Sequence, residues 1–270
     1  MASLNVTPEQ QGAVEQATNS DSVQKCRFIV VIDPGHGDRN QRTGGAVDPG
    51  ALGGPNMEIK EKDMALDVAK AFKQKLEAKT DVIEAVYLTR EGDVGDASWP
   101  YLTWRVDFAV EKQAQIFVSL HMNSACSCPR NAKGACIVPK GGHIVNTQAN
   151  GKEVWCWTGA AQSKSLATSI MAAYTLPLKR RGQTGVFEKK FGVLRLRGSL
   201  KASALIEMGF IPNDNDRNTI TNQKDTVAQQ FTDGVVNYII ANRAALCGSG
   251  SETTKLPENP PIPRPRPANL

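Results

Sequence analysis

His36, His121 and Glu207 are the residues best placed to do chemistry in this 270-residue chain. His36 follows the apolar run Phe28-Ile29-Val30-Val31-Ile32, in the motif Asp33-Pro34-Gly35-His36-Gly37. His121 closes Val118-Ser119-Leu120-His121, and Glu207 lies within Ala204-Leu205-Ile206-Glu207-Met208-Gly209-Phe210. Each ends or follows a short apolar run of the kind that forms a buried β-strand. If those strands share one parallel sheet, their carboxyl ends meet along one edge, where open α/β sheets carry their active sites. Two imidazoles and a carboxylate gathered there suit zinc and hydrolytic chemistry. The chain has only three histidines, so placing two of them this way is not casual use of the residue.

A catalytic zinc usually takes three protein ligands and keeps one position open. With His36 and His121 as nitrogen ligands, spacing alone leaves the third among Asp33, Asp38, Asp48, Glu58, Glu61 and Asp63. Glu61 is attractive because it opens the helix after the first loop, where its charge suits the positive end of the helix dipole. Each residue also has a plainer reading: a histidine after a strand is commonly a hydrogen-bonded loop residue, and a glutamate at a helix start a cap. Glu207 differs, because a carboxylate inside so apolar a run must be buried, and a buried charge needs a partner. The glycines at 35, 37, 44, 45, 50, 53 and 54 do not form a phosphate loop: no Gly-x-Gly-x-x-Gly opens a helix and no Gly-Lys-Ser/Thr occurs.

The elements that must position these residues alternate along the chain. After the strand at 28–32 comes a Gly-rich loop from Gly35 to Gly54. A helix from about Lys60 follows, with Ala65, Val68, Ala69, Phe72 and Leu76 on one face. Val82–Leu88 reads as a strand, Thr103–Gln115 as a helix with Thr103 as N-cap, and Ile116–Leu120 as a third strand. Residues 123–181 are less regular, with a helix over Ser163–Tyr174. The pattern resumes with Val193-Leu194, a strand over Ala204–Met208 and a helix from about Lys224 to Arg243. Such alternation indicates an α/β fold with a mainly parallel sheet. The tail Gly248–Leu270 is Gly/Ser-rich and then Pro-rich, and is expected to be a disordered or polyproline-like extension.

Composition excludes little beyond a membrane span, since no apolar stretch approaches roughly 18 residues. The formal charge of +5 mildly favours anionic surroundings such as nucleic acid, a membrane surface or an acidic wall polymer. The first 25 residues are polar and lack the basic start and apolar stretch of a secretory signal peptide. Expected, then, is a protein made in the cytoplasm that leaves by another route, or one whose export signal lies outside this sequence, with no stable membrane insertion. Cys26, Cys126, Cys128, Cys136, Cys156 and Cys247 permit disulfides in an oxidising compartment. The spacing of Cys126, Cys128 and Cys136 lacks paired Cys-x-x-Cys knuckles, so disulfides or buried free thiols are preferred to a structural zinc.

The blocks Val31-Ile32-Asp33-Pro34-Gly35-His36-Gly37, Asp48-Pro49-Gly50-Ala51, Glu61-Lys62-Asp63, Leu88-Thr89-Arg90, Ser119-Leu120-His121-Met122-Asn123 and Ile206-Glu207-Met208-Gly209-Phe210 occur in that order. Together they resemble the zinc-dependent N-acetylmuramoyl-L-alanine amidases of the amidase-3, AmiC-like type, and Leu102, Arg105 and Ala109 fit that family's helix before the second His strand. The resemblance runs from about residue 28 to 243. It implies a single domain over 26–247, with a mixed, mainly parallel sheet flanked by helices on both faces. It further implies one catalytic Zn2+ on His36, Glu61 and His121, with Glu207 as the catalytic glutamate. The substrate implied is peptidoglycan, cut between N-acetylmuramic acid and L-alanine. A monomer that binds no nucleic acid is expected, with a protein activator if it is a cell-division amidase.

The stretch from Asn123 to Arg181 departs from the compact family core by its length and its Cys and Trp content. It is read as part of the substrate groove, with Trp155 and Trp157 as contacts; aromatic anchors packing an insertion onto the core are the equal alternative. Asn123 and Arg195 complete the expected substrate contacts. Glu153 is a candidate for a zinc-blocking carboxylate, although its surroundings do not read as helical. His143 is expected to be a surface loop residue, and Lys179-Arg180-Arg181 a solvated basic cluster. A phage endolysin released by a holin is the favoured role, ahead of a host wall amidase. A non-catalytic wall-binding relative and a metal-dependent amino-sugar deacetylase are the competing classes.

Overall fold

The computed structural model describes residues 26–39, 46–94, 103–125 and 145–247. In chain order the elements are β1 (Phe28–Pro34), β2 (Leu52–Gly53), β3 (Ile59–Lys60), α1 (Glu61–Glu77), β4 (Ile83–Leu88), α2 (Thr103–Glu111), β5 (Ile116–Asn123), β6 (Glu153–Cys156), α3 (Ala161–Ala173), β7 (Val186–Glu188), a 3-10 turn (Gly192–Leu194), β8 (Ala202–Phe210), α4 (Asp214–Asn222) and α5 (Lys224–Cys247). Among the described residues, those from Arg27 to Ile240 form one compact unit, and Cys26 with 241–247 belongs to a second.

β1 is buried along its whole length, as a strand covered on both faces must be. It pairs in parallel with β4 on one side and β5 on the other, and β5 pairs in parallel with β8. The sheet order is β4-β1-β5-β8-β6-β7, with β6 antiparallel to β8 and β7 parallel to β6. Four parallel strands therefore form the part of the sheet foreseen from the apolar runs, and two short reversed strands extend one edge. β2 and β3 form a separate antiparallel ribbon.

Strand alternation splits the core between the two faces. Ile29 and Val31, with Phe117 and Leu205, pack against Val106 and Ala109 of α2 and against Val193 and Leu194. The long helices bring a second set. α1 buries Ala65, Val68, Ala69, Phe72 and Leu76; α3 buries Leu166, Ala167 and Ile170; α5 buries Val227, Phe231, Val235, Tyr238 and Ile239. Phe231 makes edge contacts with both Phe72 and Tyr174, at 5.9 and 4.9 Å between ring centroids. The result is a single α/β sheet with helices on both faces.

Several local expectations change. α2 stops at Glu111 rather than Gln115, and Val193-Leu194, where the apolar pattern resumes, lies in a 3-10 turn. Part of the irregular middle stretch is sheet, because β6 docks on β8. α4, which has no apolar stripe, is started by Asn213, whose side chain accepts from the Asp216 N–H. A disulfide joins Cys26 to Cys247, with Cα atoms 6.1 Å apart. Cys156 is a buried free thiol, its pKa pushed up to about 11 by burial and by Glu188. The polar stretch 1–25, Cys126, Cys128, Cys136, His143 and the tail 248–270 lie outside the described residues.

Candidate metal centre

His36 stands on a loop whose backbone is held from several directions. The Gly35 N–H donates to the Leu120 carbonyl, and the Gly37 N–H to the Asp48 carbonyl. His36 itself has φ 58°, a left-handed conformation that a non-glycine residue keeps only where its surroundings fix it. Two arginines supply that. Arg90 donates to the carbonyls of Pro34 (2.9 Å), Gly35 (2.8 Å) and Lys62 (2.7 Å). Arg105, 2% exposed, donates to the carbonyls of Pro34 (3.0 Å) and His36 (2.8 Å) and pairs with Asp33 at 2.5 Å. Asp33 also accepts from the Thr89 and Ser119 hydroxyls, each at 2.6 Å. Burial pushes the Asp33 carboxyl up, but the Arg105 charge and the two hydroxyls outweigh it, so its pKa lies below the ordinary value.

Glu61 is placed by the start of α1. The loop carbonyls of Ala51 and Pro49 accept from the Glu61 and Lys62 N–H groups, capping a helix whose N-cap residue has no side-chain cap bond. In return, Glu61 Oε2 accepts from the Ala51 N–H (2.7 Å) and Oε1 from the Met122 N–H (2.9 Å). Its Oε1 also lies 2.8 Å from His121 Nδ1 and 3.1 Å from His36 Nε2. The other nitrogen of His36, Nδ1, is 3.0 Å from Asp48 Oδ2. The donor atoms of His36, Glu61 and His121 all fall within 4.8 Å of one another.

This donor set fits zinc. Two ligands about 2.0–2.1 Å from an ion at a tetrahedral angle lie about 3.3 Å apart, close to the Glu61–imidazole separations. Asp48 behind His36 matches the carboxylate that commonly orients a ligating imidazole. Burial favours the neutral His36 ring, yet Asp48 and Glu61 raise its pKa to about 10; burial likewise opposes the Glu61 charge, and the two histidines reverse that and lower its pKa. Two glycines make room. A Cβ on Gly35 would sit 2.3 Å from His121 Cε1, and one on Gly50, with φ 69°, 2.7 Å from Glu61 Oε2.

Glu207 faces this cluster from the next strand, its Cα paired with that of His121. Its Oε2 is buried and has no hydrogen-bond partner among the described residues. Burial first, then the charges of Glu61 and Glu153, raise its pKa well above the usual carboxylate range. On its other side Glu207 pairs with Glu153 of β6. Glu153 is buried too, and is satisfied by Arg181 (2.5 Å), the Trp155 indole N–H (2.9 Å) and the Asn123 amide (3.2 Å).

The expected site residues are therefore not equally close. His36, Glu61, His121 and Glu207 converge; Asn123 and Trp155 join through Glu153. Trp155 stacks on Phe187 (4.8 Å between centroids) with Phe191 at its edge, so it also anchors the reversed strands. Trp157 packs against the same core as Val193 and Leu205. Arg195 is exposed and has no side-chain hydrogen bond or ion pair among the described residues. Glu153 sits on a strand beside Glu207. The structural parts of Arg90, Arg105 and Arg181 had no signal in spacing, apart from the positions of Arg90 and Arg105 in blocks that resemble the family.

Fold and site together define an α/β protein with a His-Glu-His cluster that could hold a metal ion beside the half-buried Glu207. The chain belongs to the Amidase_3 family, described as N-acetylmuramoyl-L-alanine amidase, whose sequence profile matches residues 30–237. Among solved structures it is similar to the N-acetylmuramoyl-L-alanine amidase of Clostridium difficile 630, at 26% identity and TM-score 0.61, over 80% of this chain and 98% of that one. The catalytic domain of the amidase CwlV from Bacillus (Paenibacillus) polymyxa var. colistinus gives 27% identity and TM-score 0.59, over 79% and 98%. The amidase AmiC2 of Nostoc punctiforme gives 25% and 0.58, over 80% and 99%. No curated protein matches the chain in sequence.

Proposed function

We propose that the protein is a zinc-dependent peptidoglycan hydrolase that cuts the amide between the lactyl group of N-acetylmuramic acid and L-alanine of the stem peptide. The observation that carries this reading is the convergence of His36, Glu61 and His121 one strand from Glu207, in a chain of the amidase family. These three residues would hold one Zn2+, which when bound lowers the pKa of water towards ~7 and polarises the scissile carbonyl. Glu207 takes the proton from the attacking water and returns it to the leaving amine. Asp48 orients His36, while Arg90 and Arg105 fix the loop that carries it. Asn123, Arg195, Trp155 and Trp157 are proposed substrate contacts, the partly exposed Trp155 lying two residue pairs along β6 and β8 from the Glu153–Glu207 pair.

The Cys26–Cys247 disulfide supports work in an oxidising compartment, as wall degradation outside the cytoplasm requires. Product chemistry tests the reading. Digestion of purified sacculi should release stem peptides with a new L-alanine amino terminus. Release of acetate without those peptides would assign the site to sugar deacetylation, and intact sacculi with retained wall binding would assign it to a non-catalytic module.

A further inference from the structure

We infer that Arg181 is a carboxylate-binding residue of the substrate groove, reading an acidic group on the peptide just beyond the cleaved amide. The inference rests on the amidase reading above and concerns which stem peptides the site prefers. Glu207 and Glu153 stand opposite each other on neighbouring strands; Glu153 is buried, and Glu207 is half-buried with its Oε2 shielded from solvent. Two carboxylates so close need a cation. Arg181 supplies it, with Nε 2.5 Å from Glu153 Oε1.

That contact uses only one side of the guanidinium. Neither terminal nitrogen of Arg181 has a hydrogen-bond acceptor among the described residues, and the side chain is 40% exposed. The group is nonetheless fixed in place. Its carbon lies 4.8 Å over the Phe210 ring, and its backbone N–H donates to the Lys152 carbonyl. A planar fork with spare donors, already oriented by a carboxylate and an aromatic face, is suited to a second carboxylate.

Its distance from the reaction also fits a peptide. Adjacent strands are about 4.8 Å apart, so Arg181 stands one strand spacing plus one ion pair from Glu207. An extended peptide advances about 7 Å over two residues. A carboxylate on the residue after L-alanine thus falls within reach of the fork when the scissile amide lies beside Glu207. The basic cluster Lys179-Arg180-Arg181 is therefore divided: Arg181 belongs to the groove, while Lys179 and Arg180 are exposed.

The test compares two soluble muramoyl peptides that differ only at the residue after L-alanine, one with a free carboxylate and one with the carboxamide. Zinc-loaded wild-type protein should favour the carboxylate by about tenfold in kcat/KM, the effect of one hydrogen bond to a charged group. In Arg181→Gln, and in Arg181→Gln/Glu153→Gln, which leaves no unpaired charge, the ratio should fall to about one. A wild-type ratio near one, or a ratio unchanged in both variants, overturns the inference. Because the readout is a ratio, a general loss of rate in a variant does not imitate the effect, and the wild-type ratio alone decides if the variants do not fold. Hydrolysis of neither peptide by the zinc-loaded wild type would instead overturn the amidase reading, and the subsite with it.

Discussion

Replacing Arg105 by methionine removes the centre of the scaffold behind His36. The guanidinium is buried, pairs with Asp33 at 2.5 Å and Asp38 at 3.3 Å, and donates to the Pro34 and His36 carbonyls. Methionine fills the stem but leaves Asp33 ionised with only two hydroxyls as partners. Breaking one side of a buried ion pair costs about 3–5 kcal/mol; Arg90 still serves the Pro34 carbonyl, but the His36 carbonyl left unpaired adds up to about 1–3 kcal/mol if it stays dry. These terms share one site and do not add fully, so a loss of about 4 kcal/mol is expected. At about 2–4 °C per kcal/mol for a chain of this size, Tm falls by roughly 8–16 °C. Zinc affinity, measured by competition with a chromophoric chelator, should fall about 10–100-fold because the loop no longer holds His36. The linkage has a definite sign: the folded-state pKa of Asp33 is depressed, so its contribution is complete above the ordinary Asp value and lost as pH falls through the folded value. The stability gap between wild type and Arg105→Met should therefore narrow in acid. Unfolding within 1 kcal/mol of wild type, with unchanged zinc affinity, would refute the scaffold.

Gly35→Ala should depress zinc affinity at least as much while costing less stability, since the new Cβ meets the His121 ring at 2.3 Å; equal affinity by the same competition assay would show that His121 does not need this approach. Reducing the Cys26–Cys247 disulfide, whose cysteines are 221 positions apart, should lower stability by up to about 5 kcal/mol in the chain-entropy account. Calorimetry with and without a thiol checks this, and identical Tm values would contradict it. Asp48→Asn, which keeps the size but weakens the partner of His36 Nδ1, should reduce zinc affinity about 10-fold while leaving Tm within a few degrees. An unchanged zinc constant would remove Asp48 from the site.

The four parallel strands were legible because a strand buried on both faces must be apolar throughout, and β1, β5 and β8 announce themselves that way. α1 and α5 were legible from their stripes, all of whose residues are buried. β6 was not: it has four residues, is held by pairing with β8 and β7, and carries the buried Glu153, whose ion-pair partner Arg181 lies 28 positions away in sequence. α4 lacks a stripe and relies on the Asn213 cap. At the site, histidines after apolar strands marked the right edge of the sheet. The choice of Glu61 among the acidic residues of the loop did not follow from spacing, because it depends on loop carbonyls turning α1 so that its first side chain reaches both imidazoles. Arg105 is fully internal, and nothing in its local sequence distinguishes a buried arginine from a solvated one.

In the proposed reaction Glu61 and Glu207, two carboxylates near one cluster, do different work: Glu61 holds the metal and Glu207 moves the proton. Measuring zinc content and hydrolysis together in Glu61→Gln and Glu207→Gln separates them. Glu207→Gln should keep one zinc per chain and lose about 10²–10⁴-fold in rate, whereas Glu61→Gln should lose the zinc itself. Full activity in Glu207→Gln, or loss of zinc from Glu207→Gln with retention in Glu61→Gln, would contradict the assignment.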